Sequence, residues 1–532
     1  MSGAALARAA GWLLALGLPL ALLNALLTLV NPGPGPWPQP SARLSVELCA
    51  ALLALAGWIA WRGGVSGRAL HGLAAVTTVW VLVRNVEITA AALFGRPLHP
   101  YWDGRHLGDL LAMNAVPGWQ IGAGALAIGA GLALLYRLAL ACWRRIAGAL
   151  ARRAPRPWIA AASLALLAGF AVPDTHDFFS RPVAPVLARH VQMAAAQLVA
   201  DGTDARLTPS PAFDGDLAAL RGADVLLLFA ESYGVTTLDD PAQSAQLAQP
   251  RAQLLQALAA GGRRVVSARV QSPTFAGGSW RAHGALLSGV DTRDPLAYDL
   301  LLATQRPTLV RHFQAHGYRT VSWMPGLQRP WPEGRFFGFD RYADAQGLGY
   351  RGPAFGQWRV PDQASMALLH AQELAAAPQG RAPRFVVFPT VSSHAPFRPL
   401  APYVADWERL LGPQPYSEAQ LSHAFDEPVS WREPVPAYLQ SVAYTWEWLG
   451  AYLGARAPAG LLTLVVGDHQ PFAGVSGTGA SWDVPVHVIT GDEALLQRFE
   501  AAGFEPGLEP RGPALGPMHT LAATLLRIFD AS

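Results

Sequence analysis

The first third of the chain consists largely of long apolar runs. Four of these runs are long enough to cross the roughly 30 Å hydrocarbon core of a bilayer as helices, and a fifth is slightly short. The pattern therefore predicts an α-helical membrane domain with five transmembrane helices over residues 1–173. The five runs are Gly11–Val30, Ala42–Trp61, His71–Leu93, Trp119–Trp143 and Trp158–Val172.

From about Asp174 the pattern changes to short apolar runs that alternate with helical periodicity. Short continuous apolar runs are typical of strands buried on both faces, and their alternation with helices predicts an α/β domain with a mostly parallel sheet. We expect a connecting region over residues 174–219 and the α/β domain over residues 220–532. The predicted strands are Ala223–Ala230, Arg264–Val270, Arg384–Phe388 and Leu461–Val466, and the predicted helices are Ala252–Ala260, Ser279–Leu287, Tyr438–Leu453 and Leu521–Phe529.

The composition agrees with a membrane section. Only 14% of the residues are charged and 51% are hydrophobic, whereas about 25% of residues are charged in an ordinary soluble protein. The chain has no lysine, so its formal net charge of +3 comes from arginine. Nucleic-acid binding would require basic residues clustered on a folded domain, and we do not expect it. Cys49 and Cys142 both lie in the apolar first third, so the α/β domain has no disulfide framework.

The distribution of arginine indicates the orientation of the membrane domain. With the N-terminus in the cytoplasm, nine arginines fall in cytoplasmic segments and three in external loops. Cytoplasmic loops are enriched in positive charge, so the chain after about Val172 is expected to be exported. We therefore expect a multi-pass protein of the cytoplasmic membrane. The first run could instead be a cleaved signal peptide, but NPGPGPWPQP follows it in place of a small-residue cleavage site.

Residues with metal-binding potential follow three of the predicted strands. Glu231 follows one strand in FAESYG, Asp468 and His469 follow another in GDHQPF, and His394 follows a third in SSHAPF. Ligands in open parallel sheets bind beyond the carboxyl ends of the strands. Each residue alone could be a helix cap or an ordinary surface or core side chain. Together they offer the oxygen and nitrogen ligands that suit one Zn²⁺ or Mn²⁺ ion, with Mg²⁺ as a further possibility.

A glycine-rich turn brings a serine to the start of a predicted helix. In GGSWRAHGALLSG, Gly277 and Gly278 permit a sharp turn, and Ser279 is expected to be the helix N-cap. The positive end of the helix favours an alkoxide and an incoming phosphate. An ordinary cap is the plainer interpretation of Ser279. A divalent cation beside it would lower the pKa of its hydroxyl and turn the cap into a nucleophile.

In this order, the FAES, GGS and GDH motifs resemble the alkaline phosphatase and sulfatase superfamily. Within it, they are similar to the membrane-anchored lipoteichoic acid synthase and phosphoglycerol transferase group, whose architecture the five apolar runs also match. The resemblance extends from about Asp224 to the end of the chain. It implies a sulfatase-like fold, a nucleophilic Ser279 and one metal site formed by Glu231, Ser279, Asp468 and His469.

The resemblance also implies where substrate binds. A histidine in a similar Ser-His-X-Pro motif lies on the substrate side of the site in this group, which gives His394 a catalytic and substrate-binding role. The segment WMPGLQRPWPEGRFFGFD resembles the region that shapes the substrate pocket. Arg329 and Trp331 within it are the candidates for contacts with phosphate and glycerol.

Three departures from related groups narrow the expected activity. Sulfatases form formylglycine within Cys/Ser-X-Pro-X-Arg, and the residues after Ser279 include neither that proline nor that arginine, which disfavours sulfate-ester hydrolysis. Phosphoethanolamine transferases resemble this fold but brace it with disulfides, for which this domain has no cysteine. Serine also replaces the threonine that is usual in the lipoteichoic acid group, and a metal-activated hydroxyl is retained.

The leading hypothesis is a metal-dependent enzyme that transfers a phosphoglycerol-type head group through a seryl-phospho intermediate. Its partners would be a phospholipid donor and a glycan or lipid acceptor of the cell envelope, because membrane spans near the site raise the effective concentration of a lipid donor. A phosphoric ester hydrolase of the same superfamily is the alternative within this class. A catalytically inactive membrane assembly or binding protein is the alternative from another class.

The topology hypothesis makes a direct prediction. A reporter enzyme that works only outside the cytoplasm should be active when it is fused after Ser532, because the arginine distribution predicts an external C-terminus. Paired fusions to an extracytoplasmic and a cytoplasmic reporter measure this. Activity of the cytoplasmic reporter alone would show that the orientation is wrong.

Overall fold

The computed structural model describes residues 13–31, 37–94, 98, 103–104, 117–152, 154–198, 207–328, 331–375 and 380–531. The chain divides into two compact units, Met1–Ala200 and Asp201–Ser532.

The first unit is helical. Its two longest helices are joined inside the unit by a polar contact: the buried indole N–H of Trp143 donates to the Thr77 hydroxyl at 2.9 Å. A buried tryptophan usually finds such a partner, because an unpaired N–H in an apolar interior is costly. The helices of this unit are Leu18–Leu27, Val46–Arg62, Gly67–Phe94, Gly118–Ala151, Arg156–Phe170 and Ala184–Leu198.

Two helices of this unit, Gly67–Leu93 and Gly118–Ala151, are long and apolar enough to cross a membrane by length and composition. Among the residues that the structure describes, two of the five expected spans are thus supported by helices of sufficient length. In the other three runs the helical segments are Leu13–Gly17 continued by Leu18–Leu27, then Val46–Arg62 and Arg156–Phe170, with 5 and 10, 17, and 15 residues. A span needs about 20 residues. Local signals bound these helices, such as Gly63 with a left-handed φ of 78° at the end of the second.

The second unit is built on an eight-stranded sheet. The strands lie across it in the order β4, β3, β5, β1, β6, β7, β2 and β8, so β1 has β5 on one side and β6 on the other. In chain order the strands are β1 (Val225–Ala230), β2 (Arg264–Gln271), β3 (Arg319–Trp323), β4 (Arg341–Ala343), β5 (Arg384–Pro389), β6 (Leu462–Gly467), β7 (Asp483–Thr490) and β8 (Glu505–Pro506).

The sheet is mixed. The five neighbouring strands from β4 to β6 are parallel, whereas β6 with β7, β7 with β2, and β2 with β8 pair in antiparallel fashion. The predicted parallel pairing is thus confirmed for the strands from β4 to β6, whereas it is corrected to antiparallel pairing for the strands from β6 to β8. The four predicted strands are present with ends shifted by at most two residues. The strands β3, β4, β7 and β8 were not predicted, because they are short or carry polar residues and proline.

Helices cover both faces of this sheet. All of β1 is buried, and its side chains alternate between two apolar clusters, with Leu226 and Leu228 in one and Leu227 and Phe229 in the other. The helices are Thr236–Asp239, Pro241–Ala260, Ser279–Ser288, Pro295–Leu302, Leu309–Ala315, Asp362–Leu369, Glu418–Asp426, Val435–Ala455, Ala473–Ser476, Glu493–Ala501 and Thr520–Phe529.

A buried polar network joins β2, β7 and the loop after β1. The Ser267 hydroxyl donates to the Gly507 carbonyl, so its oxygen accepts from Nδ1–H of His487 at 2.6 Å. Nε2 of His487 then accepts from the Tyr233 hydroxyl at 3.1 Å. Burial lowers the pKa of His487 to about 3. The imidazole is therefore neutral, and it anchors Tyr233 in the loop that also carries Glu231.

The network predicts how acid affects stability. In the unfolded chain His487 binds a proton below its ordinary pKa of 6.5, whereas in the folded protein it binds one only near pH 3. The folded state therefore loses stability as the pH falls from about 6.5 towards 3. At pH 5 the effect on the free energy of unfolding is about 2 kcal/mol. Gln cannot titrate, so His487→Gln should make the melting temperature of the detergent-solubilised protein less dependent on pH between 7 and 5.

The matched control is His423→Gln, because the side chain of His423 is 80% exposed. This variant should keep the wild-type pH dependence of melting. If His487→Gln also keeps it, His487 is not the group responsible.

Candidate active site

The carboxyl end of β1 positions Glu231. Its backbone N–H donates to the hydroxyl of Thr390, which follows β5, at 3.0 Å. The next residue, Ser232, has a φ of 51°, and its hydroxyl donates to Oε1 of Glu231 at 2.7 Å. The Ser232 N–H donates to Oδ1 of Asp468, which follows β6, at 2.7 Å. These bonds join the ends of three parallel strands, as expected for this edge of the sheet.

Asp468 and His469 follow β6 with their orientation fixed by backbone groups. Oδ1 of Asp468 also accepts the N–H of His469 at 2.6 Å. Nδ1 of His469 lies 2.8 Å from the carbonyl oxygen of Gln470. A carbonyl can only accept, so Nδ1 carries the hydrogen and Nε2 keeps a lone pair, which is the arrangement of a metal-ligating histidine. A side chain at Gly467 would come within 1.9 Å of the Tyr233 carbonyl, so only glycine fits this crossing.

Ser279 does not cap its helix. Gly277 and Gly278 have φ values of 126° and 79°, and Gly278 is the N-cap, so Ser279 is the first residue of the helix Ser279–Ser288. The expectation of a serine N-cap is therefore wrong, because the left-handed glycine moves the helix start by one residue. The Ser279 hydroxyl instead donates to Oε2 of Glu231 at 3.4 Å and contacts Nε2 of His469 at 3.2 Å. Ser279 itself is half-buried.

Glu231, Asp468 and His469 form a group that could hold a metal ion. One ligand atom from each lies within 4.8 Å of the others, and all three residues are buried. Burial raises the pKa of Glu231 well above its usual range, and the negative charge of Asp468 raises it further. A bound cation would relieve this repulsion. Two carboxylates, one imidazole and the adjacent Ser279 hydroxyl are a donor set that fits Zn²⁺ or Mn²⁺.

The loop after β5 carries His394 to the same edge of the sheet. The loop is fastened by the Ser393 hydroxyl, which donates to the Glu231 carbonyl at 2.5 Å. Nδ1 of His394 lies 2.7 Å from the Ala395 carbonyl oxygen and therefore carries the hydrogen. Burial lowers the pKa of His394 to about 4, although the carboxylate of Asp468 acts against this shift. His394 is thus a neutral imidazole whose Nε2 can accept a proton.

Asp362 holds the loop that carries His394 in place through two hydrogen bonds. Its buried carboxylate accepts the N–H groups of Val391 and Ser392 at 2.8 and 2.9 Å, and burial raises its pKa to about 6. Neither Asp362 nor Thr390 was identified from the sequence, because nothing local to either residue signals a partner so far along the chain.

The structure describes only one of the two residues predicted to contact substrate. Arg329 lies outside the described residues. The ring of Trp331 is partly buried, with its centroid 5.6 Å from that of Phe337 and 6.4 Å from that of Tyr342. These contacts place Trp331 in an aromatic cluster and do not join it to Glu231, Asp468 or His469. Its substrate role stays a prediction.

His283 is a site neighbour that was not singled out from the sequence. It lies one helical turn after Ser279, its ring centroid is 4.2 Å from that of Phe229, and burial lowers its pKa to about 4. Nε2 of His283 is buried and has no hydrogen-bond partner among the described residues. The spacing of four residues from Ser279 is the only signal of this position in the sequence.

No protein-family model and no curated protein matches the chain significantly. It is similar to the solved structure of a protein in the alkaline phosphatase superfamily from Vibrio parahaemolyticus, with 16% identity over 60% of this chain and 69% of the other, at a TM-score of 0.38. It is also similar to the lipoteichoic acid synthase LtaP from Listeria monocytogenes, with 12% identity, coverage of 58% and 72%, and a TM-score of 0.36.

The phosphoglycerol transferase GacH from Streptococcus pyogenes matches with 11% identity, coverage of 58% and 79%, and a TM-score of 0.34. The first of these solved structures comes from the superfamily that the sequence motifs resemble.

The geometry predicts the loss of a metal ion when either carboxylate is neutralised. Glu231→Gln and Asp468→Asn keep the shape of each side chain but remove the charge that attracts a cation. We expect the metal content of the purified protein to fall from about one ion per chain to near zero in each variant. Elemental mass spectrometry measures this directly.

Glu493→Gln is the matched control, because Glu493 is an exposed carboxylate paired with Arg264. Its metal content should equal that of the wild type. Wild-type metal content in both Glu231→Gln and Asp468→Asn would show that the metal ligands are elsewhere.

Proposed function

We propose that this chain is a membrane-bound, metal-dependent transferase that moves a phosphoglycerol-type head group from a phospholipid to a glycan or lipid acceptor outside the cytoplasm. The observation that carries this proposal is the position of the Ser279 hydroxyl, 3.4 Å from Oε2 of Glu231 and 3.2 Å from Nε2 of His469. A serine at a helix start that contacts metal-binding side chains has the surroundings of an activated nucleophile.

Glu231, Asp468 and His469 would hold the divalent ion, with the Ser279 oxygen beside them. When bound, the ion lowers the pKa of the serine hydroxyl and offsets negative charge on the phosphoryl oxygens. The chain itself keeps these ligands oriented. Two backbone N–H groups hold Oδ1 of Asp468, and the Gln470 carbonyl fixes the tautomer of His469.

Ser279 then performs the first half of the reaction. Its oxygen forms a bond to phosphorus, the bond from phosphorus to the diacylglycerol oxygen breaks, and the diacylglycerol leaves with a proton. The phosphoglycerol group remains as an ester of Ser279. The N-terminus of the helix Ser279–Ser288 is the positive end of its dipole, and it favours the anionic phosphoryl oxygens.

His394 suits the second half of the reaction. Its depressed pKa of about 4 leaves it unprotonated near neutral pH, and its Nδ1–H is committed to the Ala395 carbonyl. Nε2 can therefore take the proton of an acceptor hydroxyl as that oxygen bonds to phosphorus and the bond from phosphorus to the Ser279 oxygen breaks. The proton then returns to the Ser279 oxygen, which restores the hydroxyl. The neutral form does not suit protonation of the first leaving group, which would need the imidazolium form.

The same residues would support hydrolysis if water replaced the acceptor, so a phosphoric ester hydrolase is the second candidate. Transfer is favoured because the chain includes two helices long and apolar enough to span a membrane, which would hold the site near a lipid donor. An inactive binding protein is disfavoured, because such a protein has no need to keep the Ser279 hydroxyl among buried carboxylate and imidazole ligands.

Substitution of Ser279 tests the proposal. Ser279→Ala should lower head-group release from phosphatidylglycerol in mixed micelles by on the order of 10³-fold or more, because the nucleophile is gone. Ser279→Thr should keep part of the activity, since it retains a hydroxyl. Phosphatidylethanolamine tested in parallel identifies the head group, and an added glycan or lipid acceptor separates transfer from hydrolysis.

Thr308→Ala is the matched control. Thr308 caps another helix in the same unit by accepting the N–H of Arg311 at 3.2 Å, so its loss should cost about 1 kcal/mol of stability. It should not change head-group release. Substantial release by Ser279→Ala would exclude Ser279 as the nucleophile.

A further inference from the structure

Three exposed apolar side chains lie at the end of the helix Glu418–Asp426 and in the segment between it and the helix Val435–Ala455. They are Phe425, Val429 and Trp431, which are 49%, 45% and 55% exposed; we call them the aromatic patch. Exposed apolar residues grouped among polar ones are typical of interaction sites in folded proteins.

The aromatic patch contacts the loop after β6, which carries His469, and a segment that packs against His394. The Trp431 ring centroid is 6.0 Å from that of Phe472, which follows His469 by three residues. The Phe425 ring stacks on Phe355 at 5.2 Å. Phe355 precedes Trp358 by three residues, and the Trp358 ring is 4.4 Å from His394.

These contacts connect the aromatic patch to the loop that follows His469 and to the segment of Phe355 and Trp358, whose tryptophan packs against His394. Since His394 is the residue that we expect to activate the acceptor hydroxyl, we place the patch on the acceptor side of the site.

The charge around the aromatic patch decides between two kinds of partner. The segment from Phe425 to Glu433 contains three carboxylates and one arginine. Glu427 also pairs with Arg398 at 2.5 Å. The remaining acidic excess disfavours the surface of a bilayer rich in anionic lipid, because like charges repel. Carboxylates next to an exposed indole suit a neutral partner that offers hydroxyl groups.

We propose that the aromatic patch binds the sugar rings of a neutral glycan acceptor. Trp431 and Phe425 cover the apolar C–H faces of the sugar, and Asp426 and Glu433 accept hydrogen bonds from its hydroxyl groups. This inference rests on the proposed transferase function and narrows its acceptor from a glycan or lipid to a neutral glycan.

Binding of neutral hexasaccharides to the full-length protein in detergent tests the inference. The probes are hexamers of glucose, mannose and N-acetylglucosamine, and calorimetry measures their dissociation constants. At least one hexamer should bind, and Trp431→Ala should weaken that binding by at least about 10-fold because the stacking surface is lost. Trp431→Phe, which keeps a ring, should restore part of it.

Leu255→Ala is the matched control, because Leu255 is 40% exposed on the helix Pro241–Ala260 and has no part in the proposed site. It should bind the hexamers as the wild type does. Co-sedimentation with vesicles of phosphatidylglycerol and phosphatidylethanolamine is the competing measurement. It should not depend on Trp431.

Three outcomes would overturn the inference: no hexamer binds, Trp431→Ala binds as tightly as the wild type, or Trp431→Ala loses vesicle binding instead. The proposed function is tested separately through Ser279-dependent cleavage of bis(p-nitrophenyl) phosphate, which needs no glycan. If that cleavage is present and Trp431 does not affect glycan binding, only the acceptor assignment is wrong. If the cleavage does not depend on Ser279, the transferase function itself is wrong.

Discussion

The structure of the site depends on keeping two buried carboxylates, Glu231 and Asp468, side by side at one edge of the sheet. Burial and mutual repulsion disfavour the charged forms, which is why the pKa of Glu231 is raised. Nearby donors offset part of this cost: the Ser232 N–H and hydroxyl, the His469 N–H and the Ser279 hydroxyl. A divalent cation would offset the remainder, and the same charge would activate the serine that already contacts both Glu231 and His469.

The sheet makes this arrangement possible. The strands β5, β1 and β6 are neighbours and parallel, so the loops that follow them open at one edge. Close backbone crossings then set the distances between the loops. Gly467 passes against the Tyr233 carbonyl, and Gly234 passes against Gln470, where in each case a β-carbon would collide. Tyr233 is in turn held by the neutral His487 in the core, so the core network and the site are continuous.

The sequence was sufficient to predict the parts of this account that rest on local pattern. The apolar runs of β1, β5 and β6 and the residues that follow them could be identified because buried strands and strand ends have a local signature.

The strand β7 was missed, because Pro485 and His487 interrupt its apolar run and only pairing with β2 and β6 explains it. Among the described residues, the helices in three of the five apolar runs are shorter than expected, because hydropathy does not show where a helix begins, as at the Ser45 cap of Val46–Arg62. The start of the helix at Ser279 was misplaced by one residue, because it depends on the left-handed φ of Gly278. The roles of Asp362, Thr390 and His283 depend on contacts across the fold that no local pattern encodes.

The central claim is that Ser279 forms a covalent bond to phosphorus. The most direct measurement is mass spectrometry of the tryptic peptide Val270–Arg281 after the full-length protein has reacted briefly with phosphatidylglycerol and been quenched in acid. This peptide contains Ser272, Thr274 and Ser279. The account predicts a phosphoglycerol adduct on Ser279 that is absent when Glu231 or Asp468 is neutralised. An adduct on Ser272, on Thr274 or on another peptide, or turnover with no adduct at all, would contradict it.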